Sequence, residues 1–226
     1  MPDSHRYVML IASLPYHGPL FGVRQTPLSR IRLDQRLSLL EPRDRDLLDR
    51  ITDLLDWMRH GIGRSDADIL ANARDLLPRI ASPTLKELVT RRLELRSLVA
   101  ALRSRRQGEG PPGSDVAWGF GRWMHHIRAN WSEPGFRLGH AYPQVHEMQQ
   151  MLDSGDMLGF ERLLLGMIWR DLARIEEGHR FDFEAVVIYT LRWDLVYRWT
   201  GYDGEDAVRR FDELTEQALS AVALAL

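Results

Sequence analysis

FDFEAVVIYTLRWDLVYRWT, residues 181–200, is the longest strongly apolar segment of the chain, and its reading decides the fold. Asp182 can act as an N-cap, accepting a hydrogen bond from a free amide of the first helical turn. At 3.6 residues per turn, Ile188, Leu191, Leu195 and Trp199 share one face. Val186, Tyr189, Trp193 and Val196 share a second, nearly opposite face. A helix apolar on two faces cannot lie on a surface, so 183–199 reads as the central helix of a helical domain. Asp194 and Arg198 stand four apart and can pair, while Glu184 and Arg192 must find partners or reach water.

Outward from that helix the pattern stays helical. The run 6–15, RYVMLIASLP, is too short for periodicity to separate a strand from a helix, so one short N-terminal strand is an open alternative. Leu28, Ile31, Leu37 and Leu40 support a helix over 27–40, and Pro42 suits the first position of the next. Leu47, Leu48, Ile51, Leu54, Leu55 and Met58 then form an amphipathic stripe that Gly61 and Gly63 would end. Ser65 and Asp68 have capping spacing, Pro78 breaks the segment they open, and Ser82-Pro83 starts another. Leu85, Leu88, Val89, Leu95, Val99 and Leu102 mark the buried face of that helix.

Residues 107–114, QGEGPPGS, are rich in glycine and proline and bury nothing, which predicts a subdomain boundary or a mobile loop. The expected division is 1–106, a linker at 107–114, and 115–226 around the central helix. Beyond the linker, Trp118, Phe120, Trp123, Ile127 and Trp131 have near-helical spacing over 116–131, weakened by Gly119 and Gly121. Residues 132–143 read as a loop. Val145, Met148 and Leu152 predict a short helix, and the apolar positions from Phe160 to Ile175 a long one that Gly178 stops. Asp203 or Gly204 would cap a last helix with Val208, Phe211, Leu214 and Leu219 inward. The expected architecture is all-α: about eight helices with antiparallel neighbours in one or two bundles.

Composition narrows the function classes. A net charge of -2 predicts no general attraction to nucleic acid or anionic lipid. With no cysteine there is no disulfide, thiol nucleophile or cysteine metal site, a usage that suits a reducing cytoplasm. No apolar run approaches the ~20 residues a membrane span needs. The basic residues are arginines apart from Lys86. There is no Walker loop, and GFGRW at 119–123 lacks the third glycine and follows no predicted strand. YDGEDA at 202–207 lacks the alternating oxygen ligands of a calcium loop, and no serine stands in a nucleophile elbow. No catalytic residue and no cofactor is assigned. Two constellations remain. His125, His140, His146 and Glu147 could serve a metal if three or four converged. Trp118, Trp123 and Trp131 alternate with Arg122 and Arg128, residue types that carry protein interfaces but that at helical spacing also build cores.

Three stretches taken together resemble a known family: RYVMLIASLP at 6–15, LSLLEPRDRDLLDRI at 37–51, and FDFEAVVIYTLRWDLVYRW at 181–199 followed by a terminal helical segment. In this order and spacing they resemble a bacterial family of uncharacterised helical proteins encoded among the subunits of V/A-type rotary ATPases. The third stretch is also similar to the closing segment of the ATPase's C/d subunit, the helical funnel between central shaft and membrane rotor ring. The resemblance implies a non-enzymatic rotor, stalk or assembly component, cytoplasmic and peripheral to the membrane through its complex. Its partners would be ATPase subunits; the resemblance covers only the two ends of the chain, and it is the residue types in the middle that make Trp118, Arg122, Trp123, Arg128 and Trp131 the candidate docking residues. Two other readings stand beside it: a free-standing helical adaptor or chaperone holding a client peptide, and a small metalloprotein built on the histidines.

Overall fold

The computed structural model describes residues 6–56, 66–113 and 118–201. Among these the regular structure is all helical, with no strand: α1 (Val8–Ser13), α2 (Arg30–Leu37), α3 (Pro42–Leu55), α4 (Asp66–Leu76), α5 (Pro83–Arg106), α6 (Met124–Ala129), α7 (Val145–Ser154), α8 (Met157–Glu176) and α9 (183–201). The run at 6–15 is therefore a helix and not a strand. The all-α expectation holds. The readings placed on Met58, Gly61, Gly63, Ser65 and 202–226 lie outside the described residues.

The chain divides into two compact units, Met1–Leu39 with Arg180–Leu226, and Leu40–His179. The division is not at 107–114, which lies inside the second unit. The reason is local. The Trp131 indole N–H donates to Glu109 O at 2.9 Å and Arg128 Nη2 donates to Gly113 O at 2.9 Å, so the glycine- and proline-rich segment is tied down at two points.

In the first unit α9 is the hub. Asp182 caps it, accepting from Ala185 N at 3.0 Å. Every residue from Ala185 to Trp193 is buried, as are Leu195, Val196 and Trp199, so both predicted apolar faces are covered. The N-terminal segment is bound to this helix by polar groups far apart in sequence. Tyr7 N–H donates to Phe181 O at 2.8 Å, the Tyr189 hydroxyl to Pro15 O at 2.9 Å, and the Trp193 indole to Leu28 O at 2.9 Å. Each of these fills a backbone carbonyl that would otherwise need another donor. Asp194 pairs with Arg30 at 3.6 Å, and the Arg30 guanidinium lies 5.6 Å from the centre of the Trp193 ring.

His17 is the buried histidine of this unit. It is 5% exposed, Nε2–H donates to Tyr189 O at 3.0 Å, and its ring lies 4.0 Å from that of Tyr189. Burial, with the Arg192 charge nearby, lowers its pKa from 6.5 to about 4, against the opposing pull of the Tyr189 carbonyl. Burial likewise pushes the Tyr189 hydroxyl up to about 12.

In the second unit α5 is the hub, packing against α3, α6 and α7, while α7 packs against α8 and α3 against α4. Ser82 caps α5 through the Leu85 amide at 3.3 Å and Pro83 takes its first turn, as the serine–proline start signal predicts. Pro42 opens α3 in the same position. All six residues assigned to the inner face of α5 are buried. Arg92, Glu94 and Ser97 are buried as well, so four consecutive residues in the middle of α5, Arg92 to Leu95, lie inside.

Candidate functional site

The candidate site is built on α5, because two of its polar side chains face inward. Glu94 and Ser97 are three apart, hence on one side of the helix. The Ser97 hydroxyl donates to Leu93 O at 2.9 Å and accepts from Phe120 N at 2.8 Å. Glu94, 3% exposed, accepts from Arg122 N at 3.0 Å. These bonds lay residues 118–123 along α5 as a loop. The helix expected over 116–131 is thus confined to Met124–Ala129. Gly121 shows why: its φ is +102°, and a Cβ there would stand 2.2 Å from Glu94 Cγ. A side chain and a buried carboxylate cannot share that space, so the loop depends on glycine.

Trp123 follows as the N-cap of α6. The Arg122 guanidinium lies over its ring at 5.1 Å, and the rings of His126 and His140 meet it edge-on at 6.0 and 5.7 Å. The Arg122 side chain is 73% exposed although its Nε stands 3.6 Å from the buried Glu94 carboxylate. Glu94 thus anchors the base of the arginine and leaves its head in water. Tyr142 lies close by, its hydroxyl pushed up to about 12 by burial and further by the Glu94 charge.

The loop after α6 carries the strained part of the molecule. Gly135, Phe136 and Arg137 have φ of 54°, 53° and 56° in succession, a left-handed turn. For a residue with a Cβ this costs about 1–2 kcal/mol, and two of the three carry one. The turn persists because it is over-determined from inside. Phe136 is fully buried, 5.4 Å from Trp131 and 4.4 Å below the Arg105 guanidinium. Burying a phenylalanine is worth about 1.5–3 kcal/mol, which offsets the strain at that residue. Arg105 Nη1 donates to Trp131 O at 3.2 Å and to Glu133 O at 2.7 Å, His126 Nε2–H to Phe136 O at 3.0 Å, and Gly135 N–H to Gln149 Oε1 at 3.0 Å. Burial lowers the Arg105 pKa from its ordinary value, with Asp153 opposing. At Gly135 a Cβ would stand 2.7 Å from Val145 Cγ1, so α7 approaches the backbone as closely as glycine allows.

No family model, curated protein or solved structure matches the chain.

The five residues expected to dock a partner divide into two groups. Trp131 is buried and Arg128 half-buried, each bound to a backbone carbonyl of the 107–113 segment, so their positions are structural. Trp118 is half-buried, edge-on to Trp131 at 6.3 Å. Of the five, Arg122 alone is exposed, and Trp123, beneath its guanidinium, is half-buried like Trp118. Two residues that periodicity could not find join them: His140, exposed against Trp123, and Arg137, exposed on the left-handed turn. A charge count could have found the region. Between 118 and 146 stand Arg122, Arg128, Arg137, His125, His126, His140 and His146 against the single acid Glu133, in a chain of net charge -2.

The histidine constellation is not assembled. Among the described residues, no three of His125, His140, His146 and Glu147 place ligand atoms within 4.8 Å of one another. His146 instead packs against Gly135 and Gly139, and His140 against Trp123. Among the described residues no helix is long and apolar enough to cross a membrane.

Proposed function

We propose that this protein works by docking on another protein, without turnover, as a structural or assembly component of a bacterial V/A-type rotary ATPase with a role like that of its C/d subunit. The observation that carries the docking reading is the Arg122–Trp123 pair. It joins two residue types that dominate binding hot spots: an exposed arginine whose guanidinium lies 5.1 Å from the centre of a half-buried tryptophan ring, held from behind by a buried glutamate. What supports the choice of an ATPase is the resemblance carried by 6–15, 37–51 and 181–199. The first and third of these stretches form a single unit, joined by the hydrogen bonds from Tyr7 to Phe181 and from Tyr189 to Pro15.

The test is purification of the tagged protein from its native organism in mild detergent, followed by mass spectrometry of the co-purifying chains. Recovery of rotary ATPase subunits in a fixed ratio is the expected result. A solitary protein, or a mixture of unfolded clients, would refute the ATPase reading, and the clients would favour an adaptor.

A further inference from the structure

Arg137 stands where glycine would be the more stable residue. Its φ of +56° costs it what it costs any residue with a Cβ, and unlike Phe136 it recovers nothing by burial, since its side chain is 65% exposed. Its ion pair with Glu133, at 3.1 Å, is one turn long and on the surface, a kind worth little. What arginine adds at this position is a guanidinium held outward by a rigid turn. The turn connects directly to the Arg122–Trp123 pair. The Phe136 carbonyl accepts from His126, His126 meets the Trp123 ring, and Trp123 touches both His140 and Arg122. The one acid between 118 and 146 is Glu133, already engaged by Arg137.

We propose that Arg122, Trp123, His140 and Arg137 form one preorganised ledge whose occupant is an acidic segment of a partner protein. The inference rests on the docking reading above and specifies the partner's chemistry. The Arg122 guanidinium, 5.1 Å from the centre of the Trp123 ring on a side chain that is 73% exposed, has the fork of donors that suits two-point binding of a carboxylate. Arg137, on a turn whose backbone is pinned at Gly135, Phe136 and Leu138, supplies a second exposed guanidinium from a fixed point of the chain. A nucleic-acid strand is the poorer fit, because the chain as a whole is acidic and the ledge offers one half-buried tryptophan and two exposed arginines, not a basic track.

The probe is a fluorescein-labelled peptide of alternating glutamate and alanine, about fifteen residues long, titrated with the full chain at low salt and read by anisotropy. Arg122→Ala and Arg137→Gly are compared with Arg50→Ala, which removes one positive charge elsewhere on the same unit, where Arg50 pairs with Asp46 and Asp75. The expected result is saturable binding, weakened roughly fivefold or more by either ledge variant and less than about twofold by Arg50→Ala, with no binding of the glutamine–alanine peptide. Arg137→Gly should meanwhile raise the unfolding midpoint, so lost binding there cannot come from lost structure. Absence of binding, equal weakening by all three variants, or tighter binding of a single-stranded oligonucleotide of the same length or of phosphatidylserine vesicles would overturn the proposal. The two readings fail separately. A wild-type protein that co-purifies with ATPase subunits but ignores the peptide loses the ledge and keeps the docking role. One that binds the peptide but purifies alone loses the ATPase.

Discussion

Lowering the pH from about 7 to about 5.5 should cost this protein stability through one residue, His17. Folded, it takes up a proton only near about 4, whereas an unfolded histidine does so near 6.5. The sign follows from which state binds the proton. Below 6.5 the unfolded chain is protonated at this position and the folded chain is not, so acid favours unfolding until the folded pKa is passed. The unfolded state gains a factor of about 11 at about pH 5.5, worth about 1.4 kcal/mol, and about 0.2 kcal/mol at about pH 7, so about 1.2 kcal/mol should be lost between them. The assay is urea unfolding followed by tryptophan fluorescence at both pH values, for the wild type and His17→Gln. Glutamine retains an N–H donor for the Tyr189 carbonyl and has no proton to take up. The substitution can lower stability overall, but the quantity compared is the loss between the two pH values, which should shrink by about 1 kcal/mol in the variant. Equal losses in both proteins would refute the reasoning, because other groups would then account for all of the acid sensitivity.

Four further outcomes follow from the α5 platform. Gly121→Ala should destabilise by about 2 kcal/mol or more, measured by urea midpoint, since it adds left-handed strain to a steric conflict with Glu94. Glu94→Ala should cost about 1–3 kcal/mol by leaving the Arg122 amide without its acceptor. The two substitutions should not add, because removing Glu94 also removes the obstacle to a Cβ at 121; an additive double mutant would show that they do not touch. Tyr142→Phe should flatten the alkaline loss of stability, which in the wild type begins near pH 10.0, where the unfolded tyrosine ionises, and runs to about 12. An unchanged alkaline profile would place Tyr142 in contact with water.

Much of the scaffold was legible in the residues. The two apolar faces of 183–199, the proline starts at Pro42 and Pro83 and the stripe on α5 each rest on local periodicity or cap chemistry, and the helices stand where these place them. Less of the ledge was legible. The spacing of Trp118, Phe120, Trp123, Ile127 and Trp131 mimics a helix over 116–131, yet the glutamate and serine that hold residues 118–123 in a loop are distant in sequence, on α5. Nothing in 132–143 announces that Phe136 and Arg137 are left-handed, because the groups that impose it are Arg105, His126 and Gln149.

By itself the sequence determined an all-helical chain and the segment at its hub, because helix periodicity and capping are properties of neighbouring residues. Tertiary structure alone decided that residues 6–39 fold onto 180–201, that 107–113 is tied down and does not divide the chain, and which of the aromatic and basic side chains face outward. Each of those outcomes rests on a hydrogen bond or a close approach between residues distant in the chain, where one buried polar group finds its partner, and no local pattern records such a meeting.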